Sequence, residues 1–190
     1  MKPAFYLLLG YPGTGKYTIA REIVHQLTGV GAETKLLDNH AVGDLIFPLV
    51  PEADGKSPLP AQLIDRYRDM NSVVLKTIEQ LSPHQWSFVF THHLVDDHAN
   101  RAYVKRLEVL SASRDAAFVP VTLTCEPKEL LRRVVQPERH GRKLFDPERA
   151  REYLEQPMLR PDSDNAMTLD VTSLVPANAA AAIIASAAIT

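Results

Sequence analysis

Hydrophobic positions along this chain follow two alternating rhythms. Ala4-Phe5-Tyr6-Leu7-Leu8-Leu9 is a continuous apolar run, as expected for a strand buried on both faces. Past a glycine-rich stretch, Ile19 to Leu27 is apolar at helical spacing, and Gly29 and Gly31 stop that helix. Glu33 to Asp38 predicts a second strand ending in Asp38-Asn39-His40. Phe47 to Pro60 carries four prolines and a glycine, which predicts a surface loop. From Ala61, the apolar positions Leu63, Tyr67, Met70, Val74, Ile78 and Leu81 step by four, three, four, four and three, which predicts a long amphipathic helix. Trp86 to Phe90 is the next predicted strand, followed by the polar run Thr91 to His98 and a helix from about Ala99 to Ser113 burying Tyr103, Leu107 and Leu110. Val121 to Thr124 predicts a fourth strand, with Pro120 at its first position, where a missing donor is tolerated. Pro127 opens a helix that runs through Arg132 and Arg133 into a basic, turn-rich insertion, Pro137 to Lys143. Asp146-Pro147 starts a further helix by cap and proline, Met167 to Val171 predicts a fifth strand, and an Ala-rich helix over Ala177 to Ile189 closes the chain.

Five strands alternating with helices imply an α/β fold, a mainly parallel sheet with helices on both faces. In such sheets the polar residues at the carboxyl ends of strands face the ligand crevice. The 190 residues suit one domain, 1–190, with no internal repeat and a full hydrophobic core. Charge is nearly balanced, 21 basic against 23 acidic residues, so the bulk favours neither nucleic acid nor membrane as a partner. Cys125 is the single cysteine and reads as a small buried hydrophobe. No leader-like segment and no apolar run of membrane-spanning length stands out, which predicts a cytoplasmic protein.

The sharpest chemistry lies in Gly10-Tyr11-Pro12-Gly13-Thr14-Gly15-Lys16-Tyr17-Thr18. Placed between strand and helix, its glycines let backbone N–H groups curl round phosphate oxygens, the helix end adds partial positive charge, and Lys16 adds a full one. A P-loop commonly has Ser or Thr after the lysine as a magnesium ligand; Tyr17 stands there, and its rigid ring holds the hydroxyl too far from the backbone to replace it.

This loop resembles that of adenylate kinase and related small-molecule kinases, including the shikimate and gluconate kinases. The resemblance continues through Asp38, the Arg132-Arg133 pair with the arginine-rich stretch after it, and Leu169-Asp170-Val171-Thr172 leading through Pro176 into the last helix. It implies a three-layer P-loop kinase fold with strand order 2-3-1-4-5, and a small lid within about 133–146. It implies ATP as the nucleotide, cradled by Tyr11, Pro12, Gly13, Thr14, Gly15, Lys16, Tyr17 and Thr18, with Thr18 in the hydroxyl position. Arg132 or Arg133 then lies near the adenine, and the lid arginines Arg139 and Arg142 act on the transferring phosphoryl group.

By the same resemblance Asp38 faces the acceptor hydroxyl, to orient it, deprotonate it, or hold magnesium through water. Asn39, His40, Thr91, His92 and His93 are expected beside the acceptor. The third strand ends in Thr91 where a Walker B motif has aspartate, so Mg2+ is expected to be held mainly by nucleotide phosphates and water, with no direct protein ligand. His92, His93, Asp96, Asp97 and His98 are suitable metal-ligand types, but adjacent residues of an extended chain point to opposite sides, which disfavours a shared ion. The expected activity is ATP-dependent phosphorylation of a small molecule, favouring a hydroxyl acceptor. A nucleoside monophosphate kinase needs arginines in the acceptor region, and only Arg66 and Arg68 stand between Asp38 and Phe90. The alternatives are that kinase class and a nucleotide-binding regulatory module with little catalysis.

Overall fold

The computed structural model describes residues 2–53, 59–136 and 146–187. Five parallel strands form one sheet in the order β2-β3-β1-β4-β5: β1 Ala4–Leu9, β2 Thr34–Asp38, β3 Ser87–His92, β4 Ala117–Thr124 and β5 Met167–Asp170. The helices are α1 Lys16–Gly29, α2 Asn39–Ile46, α3 Ala61–Leu81, α4 His98–Ser113, α5 Pro127–Val134, α6 Pro147–Glu155 and α7 Pro176–Ala187. This is the three-layer P-loop kinase fold and strand order that the resemblance implied.

Alternation along β1 sorts the core. Tyr6 and Leu8 point to one face and pack with Ile19, Ile23 and Leu27 of α1 and Ile183 of α7. Phe5, Leu7 and Leu9 point to the other, against Leu75 and Ile78 of α3 and Leu107 and Leu110 of α4. Both faces of β1 are covered, which is why its sequence is apolar without a break. Phe5 meets Phe88 edge-on, with ring centroids 5.1 Å apart.

Several elements depart from the pattern reading. β4 is twice as long as predicted and carries Pro120 in its interior, paired with Leu7 of β1. β5 joins only from Val121 onward, so at Pro120 the strand has no neighbour on that side, a place where a donor can be missing. The predicted loop after Phe47 is preceded by the unpredicted α2 and begins as a 3-10 turn over Phe47–Leu49. Gly43 sits inside α2 because a Cβ there would meet the Phe47 ring at 2.7 Å; the glycine lets that ring pack onto its own helix. On α3 the buried stripe is Leu63, Leu75 and Ile78, while Leu81 is exposed.

Candidate active site

The elements converge at the carboxyl ends of β2, β3 and β1. Where β1 ends, the backbone turns sharply: Gly13 and Gly15 hold φ of 98° and 91°, the left-handed region that favours glycine. Gly13 also lies where a Cβ would press on Leu130 O and Val134 of α5 at 3.0 Å, so the loop is seated against that helix. Thr14, 1 % exposed, folds inward, its amide and hydroxyl both donating to Tyr11 O at 3.2 and 2.9 Å. Gly15 caps α1, and Lys16 begins it. The Lys16 ammonium reaches back to the carbonyl oxygens of Gly10 and Tyr11 at 2.7 and 3.0 Å, which holds its charge inside the loop. Tyr17 and Thr18 follow on the exposed side of the first turn, and Pro12 is half-buried. Positive charge, curled backbone and a helix N-terminus thus coincide, a donor set that fits a polyphosphate.

Asp38 and Thr91 lie opposite each other in the β2–β3 register, and the Thr91 hydroxyl donates to the Asp38 carboxylate. Thr91 is fully buried, so this bond fixes one oxygen of the Asp38 carboxylate. Asp38 is also the N-cap position of α2, which places Asn39 and His40 in that helix's first turn. Tyr67 of α3 donates to Asn39 O at 3.4 Å. Burial, together with the negative charge of Asp38, pushes its phenol pKa up.

His92 and His93 diverge. His92 is 5 % exposed and its Nε2 lies 2.9 Å from the Tyr103 hydroxyl on α4. Burial, reinforced by the Lys16 charge, lowers its pKa to about 3, so the ring is neutral. His93 instead lies between Tyr11 of the loop and Tyr153 of α6, at centroid distances of 5.4 and 5.1 Å. The same two causes bring it to about 4. Among the described residues its buried Nε2 has no hydrogen-bond partner. Asp96 and Asp97 of that polar run work locally: Asp96 pairs with Arg101 at 2.7 Å and Asp97 caps α4 through Asn100 N. Among the described residues no group of three or more His, Cys, Asp or Glu is placed to share an ion.

A cavity of about 30 Å3 opens beside Asp38, lined by Asn39, His92 and Tyr103 among others; His40 and His93 do not line it. Sequence reasoning missed Tyr67, Asn71 and Tyr103 as lining or flanking polar groups. Tyr67 and Tyr103 carry the helical hydrophobic pattern, which conceals that the Tyr67 hydroxyl reaches Asn39 O and the Tyr103 hydroxyl reaches His92.

On the other side of the loop, Arg133 donates to Val171 O and Thr172 O at 3.0 and 2.7 Å, tying α5 to the segment after β5. Arg132 forms a two-pronged pair with Glu129, at 2.7 and 2.8 Å, on the surface. These two arginines hold the Glu129 carboxyl near a pKa of about 2. Arg139 and Arg142, and most of the predicted lid, lie outside the described residues.

A family model described as AAA domain matches residues 7–155. No curated protein sequence matches the chain. Among solved structures it is similar to a gluconokinase from Sinorhizobium meliloti 1021, with a TM-score of 0.66 and 15% identity over 98% of this chain and 93% of that one. It is similar to an APS kinase from Mycobacterium tuberculosis in complex with AMPPNP and APS, with a TM-score of 0.62 and 14% identity over 97% of each chain. A shikimate kinase from Acinetobacter baumannii in complex with shikimate matches with a TM-score of 0.54 and 18% identity over 96% of this chain and 91% of that one. Likeness at these identities establishes a shared fold.

Proposed function

The chain belongs to the AAA domain family, and from that premise we propose that it is an ATP-dependent phosphotransferase acting on the hydroxyl of a small molecule. The observation that carries this reading is the Asp38–Thr91 pair, a fixed carboxylate two strands from a phosphate cradle at the same end of the sheet. A carboxylate held in place there suits an acceptor hydroxyl that must give up its proton.

Phosphoryl transfer depends mainly on positioning and charge neutralisation. Gly13, Gly15 and the first turn of α1 cradle the phosphates, and Lys16 exchanges the Gly10 and Tyr11 carbonyls for phosphate oxygens. Thr91 orients Asp38, and Asp38 accepts the proton of the acceptor hydroxyl as its oxygen bonds to the γ-phosphorus. The bond from that phosphorus to the β–γ bridging oxygen breaks, and ADP leaves with the electron pair. Magnesium, when bound to the phosphates, supplies further charge neutralisation. Asp38 fits a contact to it through water. Arg133 and the segment at Val171 and Thr172 are suited to flank the base of the nucleotide. We infer a cytoplasmic setting; among the described residues no helix is long and apolar enough to cross a membrane.

The test is a pair of variants. Lys16→Ala is expected to lower turnover by about 10²–10³. Asp38→Asn is expected to lower it by about 10²–10⁴ with little change in ATP affinity. Unchanged turnover in Asp38→Asn contradicts its assigned role; ATP binding without Lys16-dependent transfer to any acceptor favours the binding module instead.

A further inference from the structure

The phosphate loop is fastened to the rest of the molecule by more than its glycines. Gly13 seats it on α5 and lets its backbone curl. Tyr11 is a different case, because a phosphate meets the backbone of such a loop and that contact asks for no side chain at this position. Its ring nevertheless crosses from the loop to α6. The Tyr11 hydroxyl donates at 2.8 Å to the carbonyl oxygen of Gln156, the residue that ends α6. The ring lies 5.4 Å from that of His93, and His93 in turn meets Tyr153 of α6 edge-on, at 5.1 Å and 89°. With no partner for its buried Nε2 among the described residues, what His93 gives these contacts is ring surface.

The far end of this row of rings is fixed. After α6 the chain pairs with the segment that follows β3: Asp96 N donates to Pro157 O at 3.0 Å and Leu159 N to Leu94 O at 2.8 Å, with Val95 and Met158 bridged antiparallel between them. α6 also buries Ala150 against Leu130 and Val134 of α5, the residues on which Gly13 rests, and Tyr11 packs against the same cluster. At the loop end, Tyr11 O accepts from Thr14 N, Thr14 Oγ1 and Lys16 Nζ, at 3.2, 2.9 and 3.0 Å. One residue therefore carries on its carbonyl the bonds that shape the loop, and on its ring the contacts that tie the loop to α6. A phosphate that takes Lys16 from Tyr11 O removes one of those bonds. With its ring held, Tyr11 stays in place as the lysine leaves. With its ring released, ordering the loop becomes part of the cost of binding.

We propose that Tyr11, His93 and Tyr153 form a clamp that preorganises the phosphate loop from α6, with His93 as its central positioning residue. The proposal rests on the phosphate-cradle reading for its ligand, and loop exchange in the nucleotide-free chain tests the clamp without it.

In the full chain, amide hydrogen exchange over Gly10 to Lys16 is measured without nucleotide, and AMPPNP affinity is measured by titration calorimetry. His93→Ala is expected to speed loop exchange and to weaken AMPPNP by about fivefold or more, the size of one or two lost ring pairs. His93→Phe, which keeps a ring at that place, is expected to stay within about twofold of the parent in both. Leu110→Ala, a truncation of a buried residue toward the far end of α4, lowers global stability and is expected to leave AMPPNP affinity unchanged, which separates the clamp from general loosening. Should His93→Ala fail to fold, Tyr153→Leu, on a half-buried position of α6, takes its place with the same expectation. Unchanged loop exchange in the ring-deleting variant overturns the clamp, as do equal losses in His93→Phe or in Leu110→Ala. Equally tight AMPPNP binding by every variant overturns the clamp and leaves the phosphate reading standing. Faster loop exchange in the ring-deleting variant alone, with no AMPPNP bound by any chain, upholds the tie to α6 and counts against the phosphate reading.

Discussion

The two histidines that follow one another at the end of β3 show how backbone alternation separates side chains with the same chemistry. His92 turns into the sheet's helical layer to meet Tyr103, whereas His93 turns toward Tyr11 and Tyr153. Both stay neutral in the fold, at about 3 and about 4, against 6.5 for an ordinary imidazole. As pH falls through 6.5 the unfolded chain takes up protons that the folded chain refuses. Stability is therefore full above 6.5 and is lost on acidification toward each folded value, by up to about 1.4 kcal/mol per pH unit for each histidine. The Glu129 carboxyl, held near 2 by Arg132 and Arg133, adds to this loss only below its ordinary value of 4.5. Between pH 6.5 and 4.5 the slope is expected to follow the histidines. Melting temperatures measured at both ends of that window should fall less in His93→Gln than in the parent protein; equal falls contradict the account.

At the scale of elements, the phosphate loop was legible because its physics demands a particular residue at each place. Gly13 needs both a positive φ and the absence of a side chain against Leu130 and Val134. Gly13→Ala is accordingly expected to cost about 1–3 kcal/mol of stability and to weaken nucleotide binding, by thermal melt and titration calorimetry; a change below about 0.5 kcal/mol contradicts the seating of the loop on α5. The same directness applies to Asp146, whose side chain caps α6 through Glu148 N as its position before Pro147 predicts. α2 was hidden because its eight residues are too short for a helical repeat to stand out, and Gly43 fits inside it through the packing of the Phe47 ring. β4 was truncated for a similar reason at Pro120, whose tolerance depends on how far β5 extends, a tertiary fact. Arg114 shows the limit most clearly. Between Ser113 and Asp115 it reads as a surface cation, yet it is 4 % exposed and donates to Ile78 O at 2.7 Å, Ser82 O at 3.2 Å and Pro83 O, closing the carboxyl end of α3. Arg114→Ala leaves those carbonyls without their donor and is expected to destabilise the protein by about 3 kcal/mol in denaturant unfolding, whereas an exposed arginine would cost under about 0.5 kcal/mol.

At the scale of the whole molecule, the order β2-β3-β1 brings the phosphate loop and the Asp38 carboxylate to one end of a sheet with helices packed on both faces. The cradle was legible because its residues are contiguous in sequence. The surroundings of Asp38 were only partly legible: Asp38 and Thr91 are 53 residues apart and meet through strand register, while Tyr103 arrives from α4. The fold therefore joins what a linear reading sees as separate polar positions. The most direct measurement is transfer of label from γ-labelled ATP into a pool of small metabolites by the full chain and by Lys16→Ala. The account predicts a labelled phosphate ester with the parent protein, reduced by about 10²-fold or more in the variant. Label that stays in ATP or passes only to inorganic phosphate, to the same extent with both proteins, would contradict it.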